Sequence, residues 1–441
     1  MNIILLSGGS GKRLWPLSNE IRSKQFLRLF RNDETGEHES MVQRVYRQIR
    51  TADPSAQVTV ATSKSQVSSI RNQLGEEVGI SVEPARRDTF PAIALSCAYL
   101  RDVRHVPEDE PVVICPVDPY VELSYFKALS DMSRIVSETD SLKLLLMGIE
   151  PTYPSEKYGY IIPETADPVC RVREFREKPD LETAKEFLKQ NALWNGGVFA
   201  FRLGYVLEKT KEQYPFIDYY DLYSHYDLLE KTSFDYAVVE KEKDILALRY
   251  DGEWKDLGTW NTLTEAMDES IVGSGVLGGG CENVNIINEL DMPILCMGLK
   301  NAIVSASVDG ILVSDKEQSS YIKPYVDQFH SEVRFAEKSW GSFNVIDVQD
   351  ESLTIRVVLH KGHRMNYHSH DHRDEVWTIT EGTGRTIVDG MEQRVRPGDV
   401  ICMQAGCRHT IIADTELKLI EVQLGRDISV SDKHKYDMPE A

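Results

Sequence analysis

The chain has 441 residues, 41% of them hydrophobic and 27% charged, which is typical of a globular protein with two or three domains. Its formal net charge of −20 argues against a nucleic-acid-binding protein, because the phosphate backbone would be repelled. Without a run of about 18 apolar residues, or a basic segment ahead of a long apolar one, we expect neither a membrane span nor a secretion signal. Seven scattered cysteines without a CxxC pair predict reduced thiols in a cytoplasmic protein.

Short apolar strands alternate with helical segments through the first part of the chain, a pattern that predicts a mostly parallel α/β sheet. The expected strands are Ile3–Leu6, Val58–Ala61, Pro111–Cys115, Lys143–Gly148, Gly197–Phe201 and Ile245–Arg249. Amphipathic stretches at Ser124–Ser137 and Leu181–Gln190 predict helices between them. We therefore predict an α/β domain over residues 1–270.

The pattern becomes strand-rich after Ser270. Strands expected at Val284–Asn288, Pro293–Met297, Ala302–Ala306 and Ile311–Ser314 predict a small β-rich linker module over residues 271–326. A second series is expected at Leu353–Leu359, Trp377–Thr380, Gly384–Val388, Asp399–Cys402, Thr410–Ala413 and Leu417–Leu424. Its Gly and Asp turns predict an all-β barrel or jelly-roll domain over residues 327–441.

A glycine-rich, basic loop follows the first strand directly. It begins after Leu6 and contains Gly8, Gly9, Gly11, Lys12 and Arg13. Glycines let a backbone approach a ligand and expose its N–H groups, and the two cations add positive charge, so the loop predicts a polyphosphate site. The spacing excludes a Walker loop, which needs Ser or Thr where Arg13 stands, and a dinucleotide fingerprint, which needs Gly where Leu14 stands.

The extended string from Gly8 to Leu27 resembles the signature G-G-x-G-x-R-L-x-P-L…P-K of sugar-1-phosphate nucleotidyltransferases, with Ser23 where the family has proline. Its end, Lys24-Gln25-Phe26-Leu27, is similar to that of mannose-1-phosphate guanylyltransferases. Further segments match family motifs in the same order, at Glu83–Thr89, Pro116–Pro119, Tyr158–Ile161, Glu177–Pro179, Trp194–Phe199, Ser233–Ala237 and Trp254–Trp260. Pro119 stands where the family has histidine. The resemblance implies a Rossmann-like nucleotidyltransferase domain.

This resemblance implies transfer of a guanylyl group from GTP to α-D-mannose 1-phosphate, giving GDP-mannose and diphosphate. The implied catalytic residues are Arg13, Lys24, Asp118 and Asp256. Asp118 follows an apolar strand, where ligands sit in open α/β sheets, and we expect it to share a Mg²⁺ ion with Asp256. The resemblance places the nucleotide on Leu6, Gly8, Gly9, Gly11, Lys12, Arg13 and Arg87, and the sugar phosphate on Gly159, Glu177, Lys178 and Asn195.

Histidines crowd the last predicted domain, and four residues there have the spacing of a metal site. His368 and His370 are two residues apart, so on a strand they point to the same face, and Glu375 and His409 complete a set of three nitrogens and one oxygen. The spacing resembles the first cupin motif. It predicts a cupin domain that holds a divalent transition ion such as Zn, Mn, Fe, Co or Ni.

The segment His370–Trp377 resembles the cupin of bifunctional phosphomannose isomerase/mannose-1-phosphate guanylyltransferases, but Val376 replaces a histidine. Valine cannot transfer a proton, so isomerisation of fructose 6-phosphate to mannose 6-phosphate stays an open question. Two other readings also stay open: a transferase that uses another nucleoside triphosphate or sugar 1-phosphate, and a non-catalytic sugar-nucleotide sensor. Strand edges in the β module and the cupin favour a homodimer.

Overall fold

The computed structural model describes residues 1–8, 12–19, 21–329, 334–426, 428–429 and 431–438. Gly9 and Gly11 of the predicted phosphate loop, and the side chain of Lys12, lie outside this description. Contacts divide the chain into two compact units. The first contains Met1–Ser10 and Lys24–Asp268, and the second contains Gly11–Ser23 and Glu269–Ala441. The division into three domains at 270/271 and 326/327 stays a prediction.

The first unit is an α/β structure. Its strands are β1 Asn2–Leu6, β2 Arg28–Arg31, β3 His38–Ser40, β4 Gln57–Ser63, β5 Gly79–Glu83, β6 Pro111–Pro116, β7 Pro119–Val121, β8 Leu144–Ile149, β9 Tyr160–Pro163, β10 Val169–Arg176, β11 Leu193–Arg202, β12 Ile245–Tyr250 and β13 Trp254–Asp256. Its helices are α1 Met41–Ala52, α2 Val67–Leu74, α3 Thr89–Asp102, α4 Leu123–Glu138, α5 Leu181–Leu188, α6 Leu203–Gln213, α7 Tyr219–Ser224 and α8 Trp260–Glu265. All six predicted strands and both predicted helices are confirmed to within a few residues.

Nine strands form the central sheet, in the order β5-β4-β1-β6-β11-β8-β12-β10-β9. β5, β4, β1 and β6 run parallel, as do β8 and β12, whereas β11, β10 and β9 pair antiparallel with their neighbours. Three successive residues of β1, Ile3, Ile4 and Leu5, are fully buried. Burial of consecutive residues means that both faces of the sheet are covered, as in other doubly wound α/β folds.

Helices supply the two covering layers. α3 packs against β1, β4 and β5 and against α6 and α7, and its side chains from Phe90 to Ala98 are all buried. A helix that is apolar all round belongs in the interior, which explains why α3 shows no polar stripe. α1 and α4 pack together, and α4 also contacts β6 and β11. Among the described residues, no helix is both long and apolar enough to span a bilayer.

The sheet brings the ends of β1 and β6 to one edge. Their parallel register pairs Leu6 with Pro116, so the residues that follow both strands leave the sheet at the same place. After β6, the short strand β7 pairs antiparallel with β13, and this ladder sets Pro119 opposite Asp256. Because carboxyl ends of neighbouring parallel strands form the ligand-binding edge of open α/β sheets, this is where a substrate site is expected.

The second unit begins with a β module. Its strands are β14 Ile271–Val272, β15 Gly275–Leu277, β16 Glu282–Asn288, β17 Ile294–Cys296, β18 Lys300–Ser307 and β19 Gly310–Asp315, followed by α9 Lys323–Val326. β14, β16 and β18 run parallel in one sheet and β15 pairs parallel with β17, so the chain winds in successive coils around Ile286, Cys296 and Val304. The sequence predicted β16 to β19 but neither β14 and β15 nor the parallel coiling, because short strands do not reveal the direction of their pairing.

The rest of the second unit is an antiparallel double sheet. Its strands are β20 Phe335–Lys338, β21 Gly341–Gln349, β22 Ser352–Leu359, β23 Tyr367–Ser369, β24 Asp374–Glu381, β25 Gly384–Val388, β26 Met391–Val395, β27 Val400–Met403, β28 His409–Ala413, β29 Leu417–Leu424 and β30 His434–Tyr436. The sheets have the orders β20-β21-β22-β29-β24-β27 and β26-β25-β28-β23-β30. The predicted jelly-roll is confirmed. Alternate residues of its strands, such as Trp377, Ile379 and Leu419, form a buried core.

Candidate active site and metal centre

Lys24, Asp118 and Asp256 meet beside the carboxyl end of β6. The Nζ atom of Lys24 lies 2.9 Å from Oδ2 of Asp118 and 3.8 Å from Oδ1 of Asp256, and it donates to the carbonyl oxygen of Leu257 at 3.5 Å. The β7–β13 ladder explains why two carboxylates separated by 138 positions face one point, since Pro119 is the register partner of Asp256. The structure therefore brings together three of the four residues that the sequence predicted to be catalytic.

The two carboxylates fit a magnesium ion in charge and in solvent access. Each is 39% exposed, and both lie within 4.0 Å of one cationic nitrogen. Mg²⁺ is usually held by one or two carboxylates and keeps several water ligands, so a partly open pair suits it better than a closed cage. Lys24 is less exposed, at 20%, so its charge acts where water screens it only partly.

A second cluster lies around Glu177, whose side chain is 7% exposed. Its Oε1 atom pairs with Nζ of Lys178 at 2.6 Å, whereas Oε2 is buried without a hydrogen-bond partner among the described residues. A Cβ atom at position 159 would lie 2.4 Å from that same oxygen, so Gly159 is needed to admit the carboxylate. Lys178 has a φ of +43°, a strained value for a residue with a side chain. A buried acceptor without a donor suits a hydroxylated ligand.

Asn195 is oriented by three hydrogen bonds. Its backbone N–H donates to the carbonyl of Gly159 at 2.8 Å, its Nδ2 donates to Oδ1 of Asp235 at 2.6 Å, and its Oδ1 accepts from the N–H of Gly197 at 3.1 Å. Burial, together with the charge of Glu177, raises the pKa of Asp235 to about 6. Asp235 opens the π-helical turn Asp235–Val239, a rare conformation often found at functional sites. The four predicted sugar-phosphate residues therefore lie together, with Asp235 as an additional member.

The predicted nucleotide residues are distributed differently. Leu6 ends β1, and its carbonyl accepts from the N–H of Val117 at 3.3 Å, while Gly8 is exposed. Arg87 donates through Nε and Nη2 to the carbonyl of Leu229, at 3.2 and 2.9 Å. Arg13 is exposed and belongs to the second unit. Arg87 thus has a structural contact that its sequence motif did not reveal.

In the cupin, four predicted metal ligands converge. The ligand atoms of His368, His370, Glu375 and His409 all lie within 4.8 Å of one another, and each side chain is 2% exposed. β23 is paired with β28, which sets His368 opposite His409, and Glu375 faces inward from β24. His370 lies one residue beyond the end of β23, and its ring centroid is 4.8 Å from that of His368.

The hydrogen bonds of the three rings leave their Nε2 atoms as acceptors. Nδ1 of His368 is bonded to the carbonyl of Asn366 at 2.6 Å, Nδ1 of His370 to that of Asp432, and Nδ1 of His409 to that of Cys407 at 3.0 Å. A carbonyl can only accept, so each Nδ1 carries the proton. Nε2 of His409 and Oε2 of Glu375 are buried, 3.2 Å apart and without a hydrogen-bond partner among the described residues. Two acceptor atoms that face each other repel unless a cation lies between them. These residues therefore fit a metal ion.

Other charged groups share the barrel interior. Arg373 donates through Nε to Oε1 of Glu375 at 3.1 Å and through Nη1 to the carbonyl of Ser429 at 2.9 Å. Glu421 is buried and accepts from Nε2 of Gln423; burial, followed by the charge of Glu375, raises its pKa. Burial lowers the pKa of Lys433. Neither Glu421 nor Lys433 stands in a predicted motif, although the alternating burial along β29 indicates that Glu421 faces inward.

Val376 does not face the metal ligands. In β24 the buried residues are Glu375, Trp377 and Ile379, and Val376 lies on the opposite side of the strand, half-buried. Because successive side chains of a strand point to opposite faces, a change at position 376 removes no group from the barrel interior. Val376 is therefore weaker evidence against an isomerase activity than the sequence motif suggested.

Comparisons with known proteins match both parts of the chain. A family model described as Nucleotidyl transferase matches residues 2–271, and one described as Cupin domain matches residues 355–423. Mannose-1-phosphate guanylyltransferase of Escherichia coli K12 is 28% identical over 97% of this chain and 96% of its own length. Xanthan biosynthesis protein XanB of Xanthomonas campestris is 29% identical over 98% and 97% of the two chains.

Among solved structures, a crystal structure described as mannose-1-phosphate geranyltransferase from Thermus thermophilus has a similar fold. It covers 75% of this chain and 99% of its own, with a TM-score of 0.62 and 24% sequence identity. The predicted resemblance to mannose-1-phosphate guanylyltransferases is confirmed by the curated relatives.

Proposed function

Because this chain belongs to the nucleotidyl transferase family, we propose that it transfers a guanylyl group from GTP to α-D-mannose 1-phosphate, releasing GDP-mannose and diphosphate. The observation that carries the proposal is the convergence of Lys24 on Asp118 and Asp256 at the ligand-binding edge of the sheet. The curated relative from Escherichia coli, similar over nearly the whole chain, supports the choice of substrates.

In this reaction a phosphate oxygen of mannose 1-phosphate attacks the α-phosphorus of GTP in line, and the bond to the β-phosphate breaks as diphosphate leaves. Both substrates are already ionised, so no general base is needed, and positioning and electrostatics provide the rate. Lys24 offsets charge on the triphosphate, as does Arg13. Asp118 and Asp256 would hold Mg²⁺, which neutralises charge on the reacting phosphates when bound.

The sugar phosphate is proposed to bind at the cluster around Glu177. The Oε2 atom of Glu177 accepts a hydrogen bond from a sugar hydroxyl, and Gly159 leaves room for this carboxylate because it has no side chain. Lys178 pairs with the 1-phosphate. The side-chain amide of Asn195 has one N–H left to donate to the sugar. Its other N–H is bonded to Asp235, and its oxygen accepts from Gly197. Paired donors and acceptors of this kind reject analogues that lack the matching hydroxyl.

A substrate screen tests this function. The purified protein is incubated with Mg²⁺, each of the common nucleoside triphosphates and a set of hexose 1-phosphates, and diphosphate release is measured. We expect the highest kcat/KM for GTP with mannose 1-phosphate. A preference for another pair would instead assign a different transferase of the same fold. Binding of GDP-mannose without diphosphate release from any pair would favour a sugar-nucleotide sensor.

We further propose that the cupin binds a divalent transition ion such as Zn, Mn, Fe, Co or Ni through His368, His370, Glu375 and His409. Nitrogen-rich sites of this kind accept several such ions, so elemental analysis of the purified protein is the direct test. Interconversion of fructose 6-phosphate and mannose 6-phosphate is a second candidate activity. The buried Glu421 and the half-buried Lys433 near Glu375 support it, because isomerisation needs a proton carrier. Metal-dependent conversion of either hexose 6-phosphate would establish it, and no conversion with the metal bound would exclude it.

We propose that the protein acts in the cytoplasm on small molecules, without a nucleic-acid or membrane partner, and that it forms a homodimer. The seven cysteines are free, in keeping with a reducing compartment. β19 is an edge strand whose Ile311 and Val313 are 62% and 65% exposed, and such an apolar edge favours pairing with a second copy. Light scattering tests this: we expect a dimer for the wild type and a monomer for Val313→Lys.

A further inference from the structure

The segment from Leu14 to Arg22, which follows the phosphate loop, contacts the β module. Ser307 Oγ donates to the carbonyl of Pro16 at 2.7 Å, and the ring of Trp15 packs against that of Phe329 with centroids 5.0 Å apart. Gly310 makes room for the indole, because a Cβ atom there would lie 2.4 Å from Cζ2 of Trp15. Residues Gly11–Ser23 accordingly cluster with the second unit although both of their chain neighbours belong to the first.

Asn19 forms the next attachment. Its Oδ1 accepts from the N–H groups of Ile21 and Arg22, at 2.9 and 2.7 Å, and its Nδ2 donates to Oδ2 of Asp309 at 2.9 Å. The first two bonds close a turn, and the third ties this turn to the residue between β18 and β19. An asparagine that bonds its own backbone fixes the local conformation, so Asp309 holds a turn that is already rigid.

Arg22 attaches the segment through a forked ion pair and a ring contact. Its Nη1 and Nη2 atoms donate to the two carboxylate oxygens of Glu289, at 2.7 and 2.8 Å, and its guanidinium carbon lies 4.8 Å from the centroid of the Phe335 ring. Burial acts to lower the pKa of Arg22, but the charge and hydrogen bonds of Glu289 raise it overall. The side chains of Arg22 and Glu289 are 15% and 34% exposed, and the forked pair fixes both distance and direction.

We infer that Arg22 is a positioning residue for nucleotidyl transfer, and that it acts through Glu289 of the β module. The inference rests on the transferase function proposed above. Arg13 lies on the same short segment, ahead of the anchors at Asn19 and Arg22. Holding this segment therefore limits where the guanidinium group of Arg13 can present its charge to a triphosphate. The β module, predicted to be a linker, then contributes to catalysis, because small displacements of phosphate-binding groups cost rate.

The test uses the full chain with Arg22→Gln, Glu289→Gln and the double variant. We expect each single variant to lower kcat/KM for GTP on the order of tenfold to a hundredfold, with little change in the KM for mannose 1-phosphate. The double variant should be no worse than either single one, because both break the same pair. Glu282→Gln is the matched control: it removes an exposed ion pair with Lys300, 3.0 Å long, from the same module.

Thermal unfolding and hydrogen exchange separate positioning from mere stability. We expect faster amide exchange of residues 13–22 in Glu289→Gln than in the wild type or Glu282→Gln. Variants that lose thermal stability while keeping the wild-type kcat/KM for GTP would overturn the inference, as would an additive double variant. A wild-type protein that forms no nucleotide sugar from any substrate pair would instead refute the proposed function, and exchange of the segment would still report whether Glu289 holds it.

Discussion

The Nζ atom of Lys24 lies 2.9 Å from Oδ2 of Asp118, which joins the end of the family signature to the residue that follows β6. The two residues are 94 positions apart in the chain, and the parallel pairing of β1 with β6 brings their surroundings together. A cation and a carboxylate at one sheet edge can neutralise a triphosphate and hold its metal ion, respectively.

Asp118→Asn and Lys24→Met should each lower kcat on the order of a hundredfold or more, because both residues stabilise charge on the transferring phosphates. The stability cost should stay at or below about 1 kcal/mol, since partly exposed ion pairs contribute little to folding. Steady-state kinetics and urea unfolding measure the two effects. Asp244→Asn is the control, because it breaks an exposed pair with Arg171 in the same unit. Near-wild-type turnover by either test variant would contradict the assignment.

Gly159→Ala should raise the KM for mannose 1-phosphate about tenfold or more, since the new methyl group displaces the Glu177 carboxylate by which the sugar is proposed to bind. The KM for GTP should change little. Gly279→Ala provides the control, because a Cβ atom there meets nothing within 4 Å. Equal KM values for mannose 1-phosphate in the two variants would show that Glu177 does not bind the sugar.

Asp235→Asn should become more stable relative to the wild type as the pH rises. The pKa of Asp235 is raised from 3.8 to about 6 in the folded protein, so its ionised form is disfavoured there. Its contribution to stability is complete below pH 3.8 and is lost as the pH rises through about 6. The asparagine does not ionise and so avoids this loss. Above about pH 6, the free energy of unfolding of the variant should therefore gain at most about 3 kcal/mol relative to the wild type. Urea unfolding from about pH 4 to pH 8 checks the trend, and a difference independent of pH would contradict it.

Removing the cupin metal should destabilise the protein. At a metal concentration about 100 times its dissociation constant, binding contributes about 2–3 kcal/mol, so chelation should lower the melting temperature. His409→Gln should melt at the chelated temperature with or without added metal. His363→Gln, which replaces an exposed histidine of the same domain, should respond to metal like the wild type. An unchanged melting temperature of the chelated wild type would argue against a resident ion.

Much of the fold could be predicted from local patterns. β1, β4, β6, β8, β11 and β12 are apolar runs bounded by turns, and α4 carries an amphipathic stripe, so each was predicted close to its observed bounds. β7, β13 and β14 were not predicted, because strands of two or three residues carry no distinctive alternation. The coiled arrangement of β14 to β18 also escaped prediction, since pairing direction depends on contacts between distant residues.

The sequence by itself determined which residues we propose to carry the chemistry: Lys24, Asp118, Asp256 and Glu177 stand in family motifs, and His368 and His370 have the spacing of metal ligands. Only the tertiary structure decided what those residues contact. The β7–β13 ladder joins Asp118 to Asp256, the turn at Asp235 orients Asn195, and Arg22 pairs with Glu289 across 267 positions. Motifs record local side-chain chemistry, whereas such contacts arise from strand pairing and packing between segments that are far apart in the chain.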